Sequence, residues 1–230
     1  MRKRLLPIAL MLLLMVASPH GLRASPTQRA SLSTHSARTR AERRADILLA
    51  RVDQSMGSLR DFEASLSAQA HILFLPTMHL TGHLYFKRPD HVKVDLDNVP
   101  SIVQTMRQNL QTDPPYHNPH YTRRWLRKER YQGRQCQVIV FVARDASAKL
   151  QTATVWIDDA NLTAPRSVFR YKDGSECTVQ TAYHHVGPYL LPAFSDLSLH
   201  APLVRGTAEV TFTHYRVNTR LPDKVFTAPQ

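Results

Sequence analysis

Histidine is the residue in this chain best suited to binding a metal, because a neutral imidazole nitrogen is a common ligand. Of the 12 histidines, the most suggestive pairs are His117 with His120 and His184 with His185. The first pair lies in a Pro-rich polar segment. The second pair is adjacent on a predicted strand, where neighbouring side chains point to opposite faces. A zinc site needs four well-placed ligands, so we predict solvated histidines, no metal site and no cofactor.

The two cysteines, Cys136 and Cys177, are the next candidates for chemistry. Cys136 as a nucleophile would need an adjacent base and would compete with oxidation. Each cysteine lies near the start of a predicted strand, so the two side chains could face each other across a sheet. A disulfide closing a loop of about 40 residues would add about 3–4 kcal/mol of stability. We predict a Cys136–Cys177 disulfide; the alternative is two unpaired, buried thiols.

Sequence motifs that accompany catalysis are missing. The chain has no G-x-S-x-G, H-E-x-x-H or C-x-x-C motif and no Gly-rich phosphate loop. A hydrolase on a β-scaffold would need a nucleophile–base pair that we cannot place in the sequence. We therefore predict no catalytic residue and a protein that is not an enzyme.

The N-terminus has the pattern of a secretory signal. Basic residues at 2–4 precede the apolar run Leu5 to Ala17, which is too short to cross a bilayer as a helix. We predict a signal peptide over residues 1–24 with cleavage after Ala24, then a flexible Ser/Thr/Arg-rich linker over 25–40 and one domain over 41–230. No cysteine lies near the cleavage point. The expected product is a periplasmic protein without a lipid anchor.

The charge of the chain favours anionic partners. The predicted signal segment carries Arg2, Lys3, Arg4 and Arg23 and no acid, so its removal lowers the formal charge of +12 to +8. A basic surface attracts lipid headgroups, acidic proteins or nucleic acid. Because the sequence has no zinc finger and no RNP-like aromatic pattern, we predict no nucleic-acid partner and allow peripheral contact with a membrane.

Hydrophobic periodicity predicts one helix and then a hairpin. Apolar residues recur at three- and four-residue steps over Ala41–Leu59, which indicates an amphipathic helix. From Thr77 the period becomes two. Thr77–Phe86 and Val92–Leu96 alternate apolar and polar residues on either side of a Lys-Arg-Pro-Asp turn, which predicts a hairpin with one apolar face.

The rest of the chain adds six predicted strands and a short helix. Pro100–Leu110 breaks the alternation and predicts a helix, followed by a loop to His120. Many short strands with two helical segments predict a mainly β fold with some α, either a sandwich or a barrel decorated by helices. The predicted strands are Tyr121–Tyr131, Cys136–Ala143, Thr152–Asp158, Arg166–Tyr171, Glu176–His184 and Ala208–Val217.

Three segments resemble the LolA-like family of outer-membrane lipoprotein carriers. Gly82 to Asp95 is similar to that family's strand–turn–strand segment around a Lys-Arg-Pro turn. Leu59 to Ala64 resembles the end of its opening helix and its first strand. Val210 to Asn218 resembles its closing strand, and Leu221 to Phe226 contains the Asp-x-x-Phe ending, here Asp223 to Phe226. The run Trp156 to Arg166 also fits the family's middle hairpin, so the resemblance extends over about residues 41 to 228.

The resemblance implies an unclosed antiparallel β-barrel with helices forming a lid over an apolar cavity for acyl chains. It gives Arg88 the position of an arginine that hydrogen-bonds the closed lid; the alternative is an exposed turn residue. The apolar faces of the strands could equally pack an ordinary sandwich core. The residues expected to bind lipid are Leu80, Leu84, Phe86, Arg88, Val92, Val94 and Leu96.

The function implied is that of a periplasmic carrier. Such a protein would bind the acyl chains of a lipoprotein or lipid and deliver it towards the outer membrane. The expected partners are this cargo, an inner-membrane donor complex and an outer-membrane acceptor complex, and we expect a monomer. The alternative is a non-enzymatic sensor or regulatory domain of the same fold.

Overall fold

A computed structural model describes residues 40–88, 91–97, 99–100, 115, 118–202 and 204–227. The predicted signal peptide, the predicted linker up to residue 39, His117 and nearly all of the predicted Pro100–Leu110 helix lie outside the described residues. No helix among the described residues is both long enough and apolar enough to span a bilayer.

Helix α1 (Arg40–Ser55) places four apolar side chains on one face. Their spacing of three and four residues forms the stripe by which an amphipathic helix packs on a sheet. Outside this stripe, the Arg44 guanidinium lies 3.5 Å from the ring centre of Trp125, and Arg123 Nε donates to the Asp46 carboxylate. Both contacts join α1 to one strand at the edge of the sheet. The four apolar residues are Ala45, Leu48, Leu49 and Val52.

Ten antiparallel strands form one sheet in the order β3-β2-β1-β10-β9-β8-β7-β6-β5-β4. A one-turn helix, α2 (Lys224–Thr227), follows the last strand. The strands are β1 (Asp61–Ile72), β2 (Met78–Lys87), β3 (His91–Leu96), β4 (Tyr121–Tyr131), β5 (Arg134–Ala143), β6 (Leu150–Asp158), β7 (Arg166–Tyr171), β8 (Glu176–Val186), β9 (Tyr189–His200) and β10 (Arg205–Val217).

The sheet is a half-barrel that does not close. Strands β3 and β4 stand at the two ends of the order, and no pairing joins them within the described part of the chain. Every neighbouring pair is antiparallel, as expected for strands joined by hairpins. The predicted mainly β fold with an unclosed barrel is therefore confirmed, while most of the predicted lid lies outside the described residues.

Two hydrophobic clusters lie on the face of the sheet that α1 covers, here called the inner face. The first cluster joins α1 to β5–β8 and includes Ile139, Phe141, Phe169 and Val179. The second lies beside it on β1–β3 and β10 and is covered by the residues just after α1. A third, small cluster packs Cys136 against Trp156 on the opposite, outer face.

The predicted disulfide is not formed: both cysteines are buried free thiols. Cys177 pairs with Phe169, and the same cross-strand row continues through Ala153 to Phe141 on β5. Phe141 is five residues from Cys136, and an odd offset on a strand means opposite faces. The prediction was wrong because it placed the two cysteines near strand starts without fixing the register between β5 and β8.

The largest omission from the predicted strands is β9. It contains Pro192, which cannot donate to a strand ladder and is typical of edges and bulges. The structure places a bulge here: the register shifts between Ala182 and Tyr183, and Tyr215 Oη donates to the Pro192 carbonyl at 2.7 Å. The predicted helix was also too long, because α1 ends at Ser55 and a turn leads to Leu59.

Candidate functional site

The predicted lipid-binding residues of β2 and β3 share the inner face. Leu84 pairs with Val94 on β3 and with Ala64 on β1. Phe86 pairs in the same way with Val92 and Phe62. Leu80 lies on the same face of β2, and Leu96 lies opposite Gly82.

These residues differ in how open they are. Leu84 and Phe86 are 0% exposed, whereas Val92 and Leu96 are half-buried. The Phe86 ring stacks on Phe62 at 5.2 Å between ring centres. The β2 side of this hairpin is therefore packed core, whereas the edge strand β3 keeps accessible apolar surface at Val92 and Leu96.

Strands β1 and β10 carry small side chains on the inner face next to this core. One cross-strand row runs Met78–Ala70–Ala208–Leu197, from β2 through β1 and β10 to β9. All four side chains are half-buried. Because two alanines lie between a methionine and a leucine, the side chains project least from the sheet in the middle of the row and most at its two sides.

The neighbouring rows differ. Towards Leu66 the row continues from Ala68 to Val210 and Ser195, which are 1% and 3% exposed, whereas towards Ile72 the row stays half-buried. Leu80 pairs with Ala68 on one side, and Ile72 pairs with Gly206 on the other. Three strand spacings separate β2 from β9, so the depression is about 14 Å wide from backbone to backbone. We call it the inner trough and define it by Ala68, Ala70, Met78, Leu80, Leu197 and Ala208.

The two ends of the inner trough differ. Leu66 and Phe212 pair with each other and are 3% and 4% exposed, so they close one end. The other end runs out at Ile72, where β1 turns towards β2. On the β9 side, Leu197 packs against both main hydrophobic clusters, so the trough adjoins both of them.

The chemistry of the inner trough is apolar contact. Alkyl side chains and backbone line it, so it offers burial of hydrocarbon, worth about 25 cal/mol per Å². Among the described residues, no group of three or more His, Cys, Asp or Glu side chains could hold a metal ion. His184 lies edge-on to the Tyr215 ring at 5.5 Å, His185 is exposed, and so is His120.

Arg88 holds the junction between α1 and β1. Its Nη2 donates to the Met56 carbonyl, just beyond the end of α1, and its backbone N–H donates to the Arg60 carbonyl at 2.8 Å. The side chain is only half-buried but makes a defined contact, so the exposed-turn alternative does not describe it. The contact is with the segment that follows the helix; a role in a lid remains a prediction.

The same junction is held from the C-terminal side. Asn218 Oδ1 accepts from the Arg60 N–H at 2.7 Å, and the Asp61 carboxylate accepts from the N–H groups of Thr219 and Arg220. Asp61 is 3% exposed. A buried carboxylate with several N–H donors is well satisfied, so residues 218–220 fix the start of β1 firmly.

The Asp-x-x-Phe ending packs against the last residue of β2 and the first residue of β3. Lys87 Nζ donates to the Leu221 carbonyl and to the Asp223 carboxylate, both at 2.6 Å. This hydrogen bond holds the pKa of the exposed Asp223 carboxyl below its usual value. Phe226 is buried and meets the His91 ring at 5.7 Å. The ending thus stabilises the fold. It lies at the end of the sheet opposite the open end of the inner trough.

A second depression, on the other half of the sheet, is polar. It has a volume of about 290 Å³ and lies between Arg134 and Asn161. Its Asp158 carboxylate accepts from the Ala160 N–H and from Asn161, and Arg134 lies 3.7 Å away. These partners satisfy the carboxylate within the chain, so the inner trough is the better candidate for a ligand.

Comparison with known proteins gives structural relatives only. No family model matches the sequence, and no curated protein is similar to it. A LolA superfamily protein from Nitrosomonas europaea superposes with a TM-score of 0.60 at 13% identity, covering 80% of this chain and 97% of that one. The chain has the LolA-like fold.

Two further structures agree with this fold. A DUF1329 family protein from Desulfovibrio piger has a TM-score of 0.63 at 10% identity, covering 82% of this chain and 98% of that one. A domain assigned to outer membrane lipoprotein sorting, from Vibrio parahaemolyticus, has a TM-score of 0.53 at 13% identity, covering 80% and 97%. The LolA-like resemblance of the sequence is thus matched by the fold, while the lipid-binding role of individual residues remains a prediction.

Sequence reasoning missed the inner trough. Alanine and glycine carry little hydrophobic signal. Of the four strands that form the trough, β9 was not predicted, and β1 was predicted only up to Ala64, through the family resemblance. The available signal was the alternation of Leu66, Ala68, Ala70 and Ile72 with polar residues on β1.

Proposed function

We propose that this protein binds acyl chains in the inner trough and carries a lipoprotein or lipid through the periplasm towards the outer membrane. The observation that supports this most is the row Met78–Ala70–Ala208–Leu197, an apolar depression that is half-buried next to a closed core. The LolA-like fold is consistent with it. This function requires no catalytic residue.

The physical case for a carrier rests on the cost of exposing hydrocarbon. Each buried methylene is worth about 0.8 kcal/mol, so a sixteen-carbon chain costs roughly 10 kcal/mol or more in water. An acylated molecule therefore needs a shield to cross an aqueous compartment. A trough that stays partly open binds cargo less tightly than a sealed cavity would, and release to an acceptor requires such moderate affinity.

The proposal includes export, a monomeric carrier, and exchange of cargo with a donor complex at the inner membrane and an acceptor at the outer membrane. The signal-like N-terminus supports export. The net positive charge of the chain favours the anionic headgroups of both membranes. A sensor would hold the same cargo without passing it on, so transfer between donor and acceptor vesicles separates the two functions.

Native mass spectrometry tests the proposal on protein recovered from the periplasm without detergent. We expect a bound lipid or acylated peptide that organic extraction removes. Ala208→Phe should abolish the adduct because it fills the trough, while Thr207→Phe should keep it because Thr207 is exposed on the other face. An apo mass for the wild type, with no uptake of added fatty acid, would refute acyl binding.

A further inference from the structure

The turn between β1 and β2 exposes three consecutive large apolar side chains. Leu73, Phe74 and Leu75 are 58%, 94% and 41% exposed. Single exposed apolar residues are ordinary, but a contiguous exposed group indicates an interaction site. We call these three residues the hairpin tip.

The backbone of the hairpin tip holds Phe74 outwards. Phe74 has a φ of +69°, in the left-handed region that a bulky residue rarely adopts. The tip is nevertheless anchored, since the Leu73 N–H donates to the Arg205 carbonyl and the Leu75 N–H to the Ile72 carbonyl, both at 2.9 Å. An unfavourable local conformation thus presents an aromatic ring to solvent, and such strain is typical of binding sites.

A second turn beside the hairpin tip is also apolar. Ala201 and Val204 exchange backbone hydrogen bonds in the β9–β10 turn, and Pro202 there is exposed. Arg205 follows this turn and is exposed next to Leu73. In the sequence around these two turns, residues 64–82 and 197–208 contain no Asp or Glu. On the neighbouring strand β8, Glu176 lies opposite His200, where it is ion-paired with Arg170. This end of the sheet therefore combines apolar side chains with a basic residue.

We propose that the hairpin tip inserts into the interfacial region of a lipid bilayer carrying anionic headgroups. A stable protein interface buries about 800 Å² per partner, far more than three side chains on a convex turn offer. A bilayer accommodates a convex tip, gains from burying an aromatic and two leucines, and attracts an adjacent arginine.

Docking in this way has a geometric consequence for the inner trough. The open end of the trough is at Ile72, the residue before Leu73. A bilayer bound at the tip faces the end of the trough where an acyl chain would enter or leave. This consequence rests on the proposed function, but the docking itself can be measured without cargo.

Vesicle flotation tests the inference with protein recovered from the periplasm. We expect the wild type to float with vesicles of phosphatidylethanolamine and phosphatidylglycerol more than with phosphatidylcholine alone. Phe74→Ser should weaken flotation by roughly tenfold or more, and Arg205→Gln should lower it several-fold for the anionic vesicles only. The control is Leu126→Ser, because Leu126 is 42% exposed on a different strand; it should float like the wild type.

A second readout follows the tip directly. In Phe74→Trp the emission of the added tryptophan, after subtraction of the wild-type spectrum, should shift to shorter wavelength when vesicles are added. Flotation of Phe74→Ser equal to the wild type, equal losses in Leu126→Ser, or an unshifted Phe74→Trp emission would each overturn the inference. So would a dimer that Phe74→Ser dissociates without any wild-type flotation, because a second copy would then occupy the tip.

The outcomes separate docking from cargo binding. Phe74→Ser should bind a soluble fatty-acid probe as the wild type does, because the tip lies outside the inner trough. If the wild type floats through its tip but binds no fatty acid, docking stands and the carrier function fails. If it binds fatty acid but does not float, acyl binding stands and docking at the hairpin tip fails.

Discussion

Arg88, in the β2–β3 turn, donates a hydrogen bond to the carbonyl of Met56, one residue beyond the end of α1. The two residues are 32 positions apart in the chain. This bond ties the hairpin to the segment that connects the helix to the sheet. Any displacement of α1 over the inner face must either break the bond or bend around it.

Arg88→Leu should loosen this junction and speed the release of bound cargo. A hydrogen bond from a charged donor contributes about 1.5–3 kcal/mol. We expect faster hydrogen exchange at residues 56–60 and a higher dissociation rate for a fatty-acid probe, with little change in its association rate. Arg60→Leu is the control, since Arg60 contributes to this junction through its backbone N–H and carbonyl. Unchanged exchange and release in Arg88→Leu would rule out this role.

Phe86 and Phe74 form a matched pair on one hairpin. Phe86 is 0% exposed and stacks on Phe62, whereas Phe74 is 94% exposed. Phe86→Ala should lower the free energy of unfolding by about 3–5 kcal/mol, while Phe74→Ala should change it by about 0.5 kcal/mol or less. Urea titration measures both values. A small effect of Phe86→Ala would mean that this residue lines an open cavity rather than a packed core.

Gly82 lets β3 lie close to β2. A Cβ added at Gly82 would lie 2.0 Å from the Asp95 carbonyl oxygen and 2.8 Å from Leu96 Cα. Since both obstacles are backbone, Gly82→Ala must push β3 away, and we expect a loss of about 1–3 kcal/mol. Thermal unfolding checks this against His83→Ala, an exposed neighbour on the same strand. Equal melting temperatures for the two variants would contradict the close approach.

The two thiols should stay reduced and react slowly in the folded protein. Burial raises the pKa of Cys136 to about 11 and that of Cys177 to about 12. Because a raised pKa lowers the thiolate fraction at neutral pH, alkylation should be slow there and should accelerate as the pH approaches 11. Denaturant should expose both thiols at once, and reduction should leave the mass unchanged. A mass gain on reduction would show that the disulfide does form.

Most strands could be predicted from the local alternation of apolar and polar residues. The strand Tyr121–Tyr131 was predicted with the bounds found, and the inner face of β2 follows directly from Leu80, Leu84 and Phe86. These features depend on residues one or two positions apart, where side-chain direction is fixed by the backbone. The resemblance then supplied the unclosed barrel, which local alternation left undecided between barrel and sandwich.

Features that depend on the register between strands distant in sequence could not be predicted from local alternation. The cysteine faces depend on the register across β5–β8, and the inner trough requires β9, whose Pro192 hides its strand character. Alanines such as Ala70 and Ala208 become informative only when the register places them side by side. Packing across strands, rather than periodicity within one, decides where the sheet is closed and where it is open.

A titration with a fluorescent fatty acid measures whether acyl chains occupy the inner trough. The matched variants are Ala70→Phe, which fills the trough, and Ser67→Phe, which adds the same ring to an exposed position on the other face of β1. We predict that both variants fold, that Ser67→Phe binds like the wild type, and that Ala70→Phe binds roughly tenfold more weakly or worse. Equal binding by Ala70→Phe, or no binding by the wild type, would show that the inner trough is not an acyl-binding site.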